Sequence, residues 1–399
     1  DKTVDFIHEW TPRDLNMYIK WIIPCWIFGL GSLILVRRSI IFSSILLLIF
    51  GFLSFQAIRH EPFFVITALF LTSYQISYSE KFKDIFSSME RRIWPCALYL
   101  SIIFLIVFCA AHSDKFINSI RLGRDGYGAY EPLAGSYEFL ENENIEGNMF
   151  NNYEAGSYLL FKGYPNRKVF VDGRNIEYGY SFLKDLFASG SDFNIFRKLE
   201  KKYNFTHAVI QFDYYKELEN LPYISVFETM PNWDLVYIDD YSAVYSNNTS
   251  NNNLFVYKVI TPNLVLFPTR ILQIPSSLLN QLNKEIDYAL GQSPDFSNFR
   301  LRLAKASLFF VNGDLKSSES IINNLREKEP NRFEPVNLLA MIRTDQEKYL
   351  EAGELFEMAI KLGGGEDFIS MDYDFLSSLF DKGGDGGKAM YYQRKAVGQ

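Results

Sequence analysis

The carboxyl-terminal part of this chain repeats a helical pattern at a nearly fixed interval, and this narrows the possible folds more than any other feature. Ser318, Ile322 and Leu325 recur 34 residues later as Ala352, Phe356 and Ala359, and 37 residues after that as Ala389, Gln393 and Ala396. Spacings of four and three place each set on one helix face, and a small first member lets a neighbouring helix approach closely. Gly313-Asp314-Leu315, Glu347-Lys348-Tyr349 and Gly384-Asp385-Gly386 fall at the turns between helices, and Pro330 follows the first set by five residues. The pattern predicts an α-helical solenoid over residues 261–399, with a degenerate leading unit that ends at Ala289, Leu290 and Pro294. Stacked units of this kind bury an apolar stripe against their neighbours and present a concave face to a protein or peptide. Gln393 breaks the apolar pattern, which leaves the closure of the last unit open. The glycines at 363–365 and 383–387 read as turns rather than phosphate cradles, because neither group follows a strand.

The amino-terminal part has a different character. Residues 17–36, 39–58, 63–78 and 94–111 are apolar segments, and a span of about 20 residues matches a ~30 Å hydrocarbon core. They predict a transmembrane region of about four helices over residues 1–112, with the short third segment alternatively a buried or re-entrant helix. Trp21, Trp26 and Trp94 lie toward segment ends, as interfacial anchors do. Arg37 and Arg38 in the first loop and Lys81, Lys83, Arg91 and Arg92 in the third mark a cytoplasmic side, which places everything after Ala111 in the periplasm. Between the second and third segments stands Arg59-His60-Glu61-Pro62. Arg59 and His60 read either as ligands for a lipid phosphate, to which Arg offers a bidentate fork, or as a solvated link.

Residues 1–112 carry ten Lys/Arg against eight Asp/Glu, so the rest of the chain carries 30 against 39. An acidic part of this kind is a poor partner for nucleic acid, whose phosphates need clustered cation. Cys25, Cys96 and Cys109 all sit in apolar segments, and the four histidines have no metal-site spacing. No cofactor pattern is present. The first residue is Asp, which reads as a fragment or a processed product.

Residues 113–260 predict a small α/β domain of three layers. A helix over 132–142 is followed by a strand near 148–151, a helix over 154–161, a strand over 168–171, helices over 180–188 and 192–203, a strand over 206–212, a short helix over 214–220, and a hairpin around Asp239-Asp240-Tyr241-Ser242. The glycines of 121–128 read as a linker. Open α/β sheets place ligands at the carboxyl ends of adjacent strands, and this predicts a crevice formed by Asn152, Asp172 and Arg174. The alternative stands beside it: Asp172-Gly173-Arg174 is also ordinary turn chemistry.

Two resemblances add to this. The combination Asn151-Asn152-Tyr153-Glu154-Ala155-Gly156, Val169-Phe170-Val171-Asp172-Gly173-Arg174 and Trp233-Asp234-Leu235-Val236-Tyr237 resembles the carboxyl-terminal region of bacterial polytopic membrane proteins related to C-type (GT-C) glycosyltransferases. Glu9-Trp10-Thr11-Pro12 and Arg59-His60-Glu61-Pro62 are similar to features in the same order in that group. The resemblance implies a polyprenyl-phosphate sugar donor, a periplasmic acceptor and a catalytic acid in an external loop upstream of this chain. No residue here matches that acid, so the catalytic residue stays unknown. The helical units of 261–399 resemble tetratricopeptide repeats, which implies a partner protein or peptide.

Two functions follow as expectations. One is an integral protein of the bacterial inner membrane, part of a glycosyltransferase-like protein that moves a sugar from a polyprenyl phosphate to a periplasmic acceptor. The other is a non-catalytic membrane-anchored scaffold that binds a periplasmic protein through its repeats.

Overall fold

The computed structural model describes residues 14–36, 40–78, 131–212, 221–247, 254–364 and 373–397. The fourth apolar segment (94–111), the first and third basic loops, Cys96, Cys109, the motif at 9–12, the glycines of 121–128 and the short helix predicted over 214–220 lie outside the described residues. The chain divides into two compact units: residues 1–126 with 174–186, and residues 127–173 with 187–399.

In the first unit, α1 (Leu15–Trp21), α2 (Ile23–Val36), α3 (Ile40–Gln56) and α4 (Glu61–Ser77) pack around Tyr18, Ile22, Leu33, Leu47, Phe64 and Leu71. Asp14 caps α1 by accepting from Asn16 N at 3.0 Å and Met17 N at 3.3 Å. The buried face of α3 runs through Ser43, Leu47, Gly51 and Ser54. A Cβ on Gly51 would fall 1.9 Å from the Trp26 ring, so only glycine admits that indole. Two polar pairs lie inside: Tyr18 Oη with Ser54 Oγ at 2.9 Å, and Gln75 Nε2 donating to Ser43 Oγ at 3.2 Å.

These helices correct the predicted transmembrane bundle. Among the described residues no helix is long and apolar enough to cross a membrane. The segment predicted over 17–36 breaks at Ile22 into helices of 7 and 14 residues, with Pro24, which has no N–H for the ladder, in the first turn of the second. Helices α3 and α4 stop at 17 residues each, roughly 26 Å of rise against a ~30 Å core. The inner-membrane location and the periplasmic orientation drawn from loop charge therefore have no spanning helix to rest on among the described residues.

The second unit is built on a four-stranded mixed sheet in the order β1-β2-β4-β3. Strand β1 (Asn148–Asn151) is parallel to β2 (Phe205–Gln211), while β4 (Ser242–Asn247) is antiparallel to β2 and to β3 (Trp233–Ile238). Alternation along β1 sends Met149 to one face and Phe150 to the other. On the first face Met149, Val209, Val236 and Val244 pack with Phe139 and Leu140 of α5 (Ala134–Asn142) and Ala155 and Leu159 of α6 (Tyr153–Gly163). On the second, Phe150 lies 5.1 Å from Phe196 of α7 (Phe193–Tyr203) and 5.3 Å from Phe205. Phe227 of α8 (Ile224–Thr229) stacks on Tyr245 at 4.6 Å on the same side.

The strand predicted over 168–171 does not form. Residues 168–174 carry no ladder, and β1 has β2 as its strand partner. The segment is held instead by one side chain: Asn151 Oδ1 accepts from Phe170 N at 2.8 Å, and Asn151 Nδ2 donates to Val171 O at 2.8 Å. A carboxamide has one donor and one acceptor edge, so it replaces one rung of a sheet with the extended chain beside it.

The repeats follow. Helix α9 (Ser276–Gln292) leads into the pairs α10 (Phe299–Val311) with α11 (Leu315–Lys328), α12 (Phe333–Asp345) with α13 (Tyr349–Ala359), and α14 (Tyr373–Lys382) with α15 (Gly386–Ala396). Each pair turns through a left-handed residue: Gly313 (φ 77°), Glu347 (φ 59°) and Gly384 (φ 84°). Ser318, Ala352 and Ala389, the small residues of the repeat, are all buried. In the last helix the buried aromatic is Tyr392 rather than the expected position Gln393, which is exposed. Tyr392 lies parallel to Phe380 at 5.7 Å and donates to Glu357 Oε1 at 2.8 Å.

Candidate binding groove

Of the polar residues that the sequence offers for chemistry in the α/β part, Asn152 is engaged in holding backbone. Asn152 is fully buried; its Nδ2 donates to Gln211 O at 2.7 Å and its Oδ1 accepts from Gln211 N at 3.0 Å. Asn151 and Asn152 thus clasp the chain on either side of β1, one at Val171 and the other at the end of β2. Gly156 completes the arrangement, because a Cβ there would lie 1.8 Å from Val171 O and 2.8 Å from Asp172 Cα. Asp172 is buried in this unit. Arg174 belongs to the other unit, where it is exposed and pairs with Glu177 at 3.5 Å. Of the two adjacent strands from which the crevice was inferred, β1 forms and the one over 168–171 does not. Arg59 and His60 occupy a 3-10 turn, Ile58–His60, with Arg59 exposed and His60 half-buried.

A second polar group joins the sheet to the repeats. Asp239, at the β3–β4 turn, accepts from Tyr237 Oη at 2.9 Å, Tyr241 N at 2.9 Å, Ser242 N at 2.8 Å and Ser242 Oγ at 3.1 Å. Burial pushes its carboxyl up to about 7, against the pull of the Tyr241 and Ser242 amides and the Tyr237 hydroxyl. Asp240 faces the other way and receives Arg300 N at 2.9 Å and Leu301 N at 3.3 Å, so a carboxylate from the sheet closes the amino terminus of α10. Arg300 Nη1 returns a bond to Asp240 O at 3.0 Å. Burial and the neighbouring Arg332 lower the Arg300 guanidinium, and Asp240 opposes them. Arg332 lies over the Phe299 ring at 4.0 Å and pairs with Glu334. Glu285 of α9 does similar work for the connecting segment, accepting Lys258 N, Val259 N and Ile260 N at 2.8–2.9 Å.

One concave site in the second unit is not filled in this way. A groove of about 610 Å³ lies between the connector that precedes the repeats and the first helices of the repeat pairs. One wall is the connector itself, a 3-10 segment Pro268–Gln273 that supplies Thr269, Arg270, Leu272 and Gln273. The floor and the opposite wall come from Phe310 of α10, Asn337 and Met341 of α12, Tyr349 and Phe356 of α13 and Phe375 of α14. Asp345 and Glu347, at the α12–α13 turn, stand on the rim. The volume falls within the ~300–1,000 Å³ typical of ligand sites, and the lining is mixed, with aromatic rings beside polar and charged groups.

Asn337 distinguishes this groove. It is 2% exposed and lines the cavity, yet its side-chain carboxamide has no hydrogen-bond partner among the described residues. The carboxamide atoms keep some access to the cavity, so they are open to a ligand rather than sealed in the core. Asn151 and Asn152, in the same unit, show how a carboxamide satisfies both edges on extended backbone. The groove itself was not read from the sequence. Asn337 sits at a helix position among apolar residues, and the connector wall is contributed from 64 or more residues earlier (337 less 273), so no local pattern marks their meeting. The signal present in the sequence was indirect: a polar residue inside the apolar run Pro335–Ile342 of a first repeat helix.

Compared with known proteins, the chain matches no family model and no curated relative.

Proposed function

We propose that this chain is a binding scaffold whose repeat groove receives an extended segment of a partner polypeptide. The observation that carries this is Asn337, which lines the groove and whose carboxamide forms no hydrogen bond within the described residues. Extended backbone offers alternating N–H and C=O groups, which satisfy both edges at once. Phe310, Met341, Tyr349 and Phe375 give apolar surface for the flanking side chains. The buried acids elsewhere, Asp239, Asp240 and Glu285, each accept backbone N–H groups and serve the architecture.

The test is a groove-filling substitution. Thr344 lines the groove and is half-buried, and Thr344→Trp places an indole in the space proposed for the ligand. Binding of a panel of end-blocked, unstructured peptides is measured by fluorescence anisotropy on the full chain. The expected outcome is at least about tenfold weaker binding, some 1.4 kcal/mol, with an unchanged circular dichroism spectrum. Equal affinity in the folded variant would place the ligand elsewhere.

A further inference from the structure

We infer that the segment taken up by the groove is cationic, presenting a lysine or arginine next to an apolar side chain; this rests on the proposed function of the same groove. Three observations converge on that chemistry. The first is the lining: Phe310, Tyr349, Phe356 and Phe375 place four aromatic rings around one cavity, with Phe356 and Phe375 edge to face at 6.3 Å. Aromatic faces attract cations, and the aliphatic stem of a lysine or arginine packs on the same apolar surface.

The second is the rim. Asp345 and Glu347 are exposed, and neither side chain forms an ion pair or hydrogen bond among the described residues. Their neighbour Arg343 is already committed, to Glu319 at 2.6 Å and to Glu351 at 2.6 Å. The third is the cation within the groove: Arg270 lies over the Phe267 ring at 4.6 Å, stacked on its own connector. The lining therefore carries two acids against one arginine that already has an aromatic partner. One groove ring already shows this preference within the chain, with Lys382 over Tyr349 at 5.3 Å. A cationic segment entering here meets two carboxylates at the rim and rings below, whereas an anionic one meets those carboxylates and a single arginine already stacked on Phe267.

The experiment uses the full chain and two end-blocked, fluorescein-labelled peptides of serine and glycine that differ only in a central leucine-lysine-leucine-lysine or leucine-glutamate-leucine-glutamate. The lysine peptide is expected to bind roughly three- to tenfold more tightly at low salt, the size that two exposed charge pairs supply. The preference is expected to shrink as salt rises, because exposed pairs are screened. In the double variant Asp345→Lys with Glu347→Lys the order of the two peptides is expected to invert. The milder pair Asp345→Asn with Glu347→Gln should abolish the preference without inverting it, and serves if the reversed variant fails to fold. Equal binding of both peptides to the unaltered chain, or an order that survives both sets of substitutions, overturns the cationic preference and leaves the groove as a general peptide site. Binding of neither peptide overturns this inference together with the function it rests on.

Discussion

At Asp239 a carboxylate held away from water gathers four donors from the β3–β4 turn and from Tyr237. Burial still leaves the folded carboxyl near 7, above the ordinary value of 3.8, so between those values the folded chain holds a proton that the unfolded chain has released. The contribution to stability is therefore favourable at low pH, is lost as pH rises from about 4 to about 7, and is flat above. Urea denaturation across that range should show the decline, and Asp239→Asn should remove this component; an unchanged slope in the variant would assign the decline to other groups. The neighbouring Asp240 was legible only as a turn residue. Its partners, Arg300 and Leu301, lie 60 and 61 residues on, and a contact over that distance leaves no local signature. Asn152 was legible as a polar group at a strand end, but its carboxamide is spent on Gln211 rather than on a ligand.

Among the elements, those whose period is enforced by packing were the most legible. The 34-residue interval between Gly313 and Glu347 appears as two turns of the same left-handed geometry, and the small residues Ser318, Ala352 and Ala389 are buried at equivalent places. The strand expected over 168–171 shows the limit of an apolar run: Val171 is buried, but the amide of Asn151 replaces the ladder that alternation cannot foresee. The apolar segments near the amino terminus show another limit. Hydropathy counts residues, whereas spanning depends on an uninterrupted helix, and the segment over 17–36 is interrupted at Ile22. Glu347 is the non-glycine member of the three turns, and a left-handed residue with a Cβ is strained by roughly 1–2 kcal/mol. Glu347→Gly should therefore raise stability by about 0.5–1 kcal/mol, once the greater freedom of glycine in the unfolded chain is subtracted. A loss of stability in thermal or urea unfolding would show that the Glu347 side chain contributes more than its backbone costs.

At the scale of the whole chain, the groove is composite. The repeats supply its floor and the connector Pro268–Gln273 supplies a wall, while the segment just before it is held to α9 by three amides on Glu285. The sheet fixes the first repeat helix through Asp240. Neither the α/β part nor the repeats alone would set that geometry, which is why function was the least legible property of the sequence: it depends on where separate segments meet. The most direct measurement is a site-specific photocrosslink. A benzophenone amino acid in place of Met341, on the floor of the groove, is irradiated in the full chain with the lysine-bearing peptide present, and the product is mapped by mass spectrometry. The account predicts a covalent adduct with the peptide that an excess of unlabelled peptide competes away. Saturable peptide binding with no adduct at Met341, and with adducts from a control probe at the exposed Lys162 on α6, would contradict it.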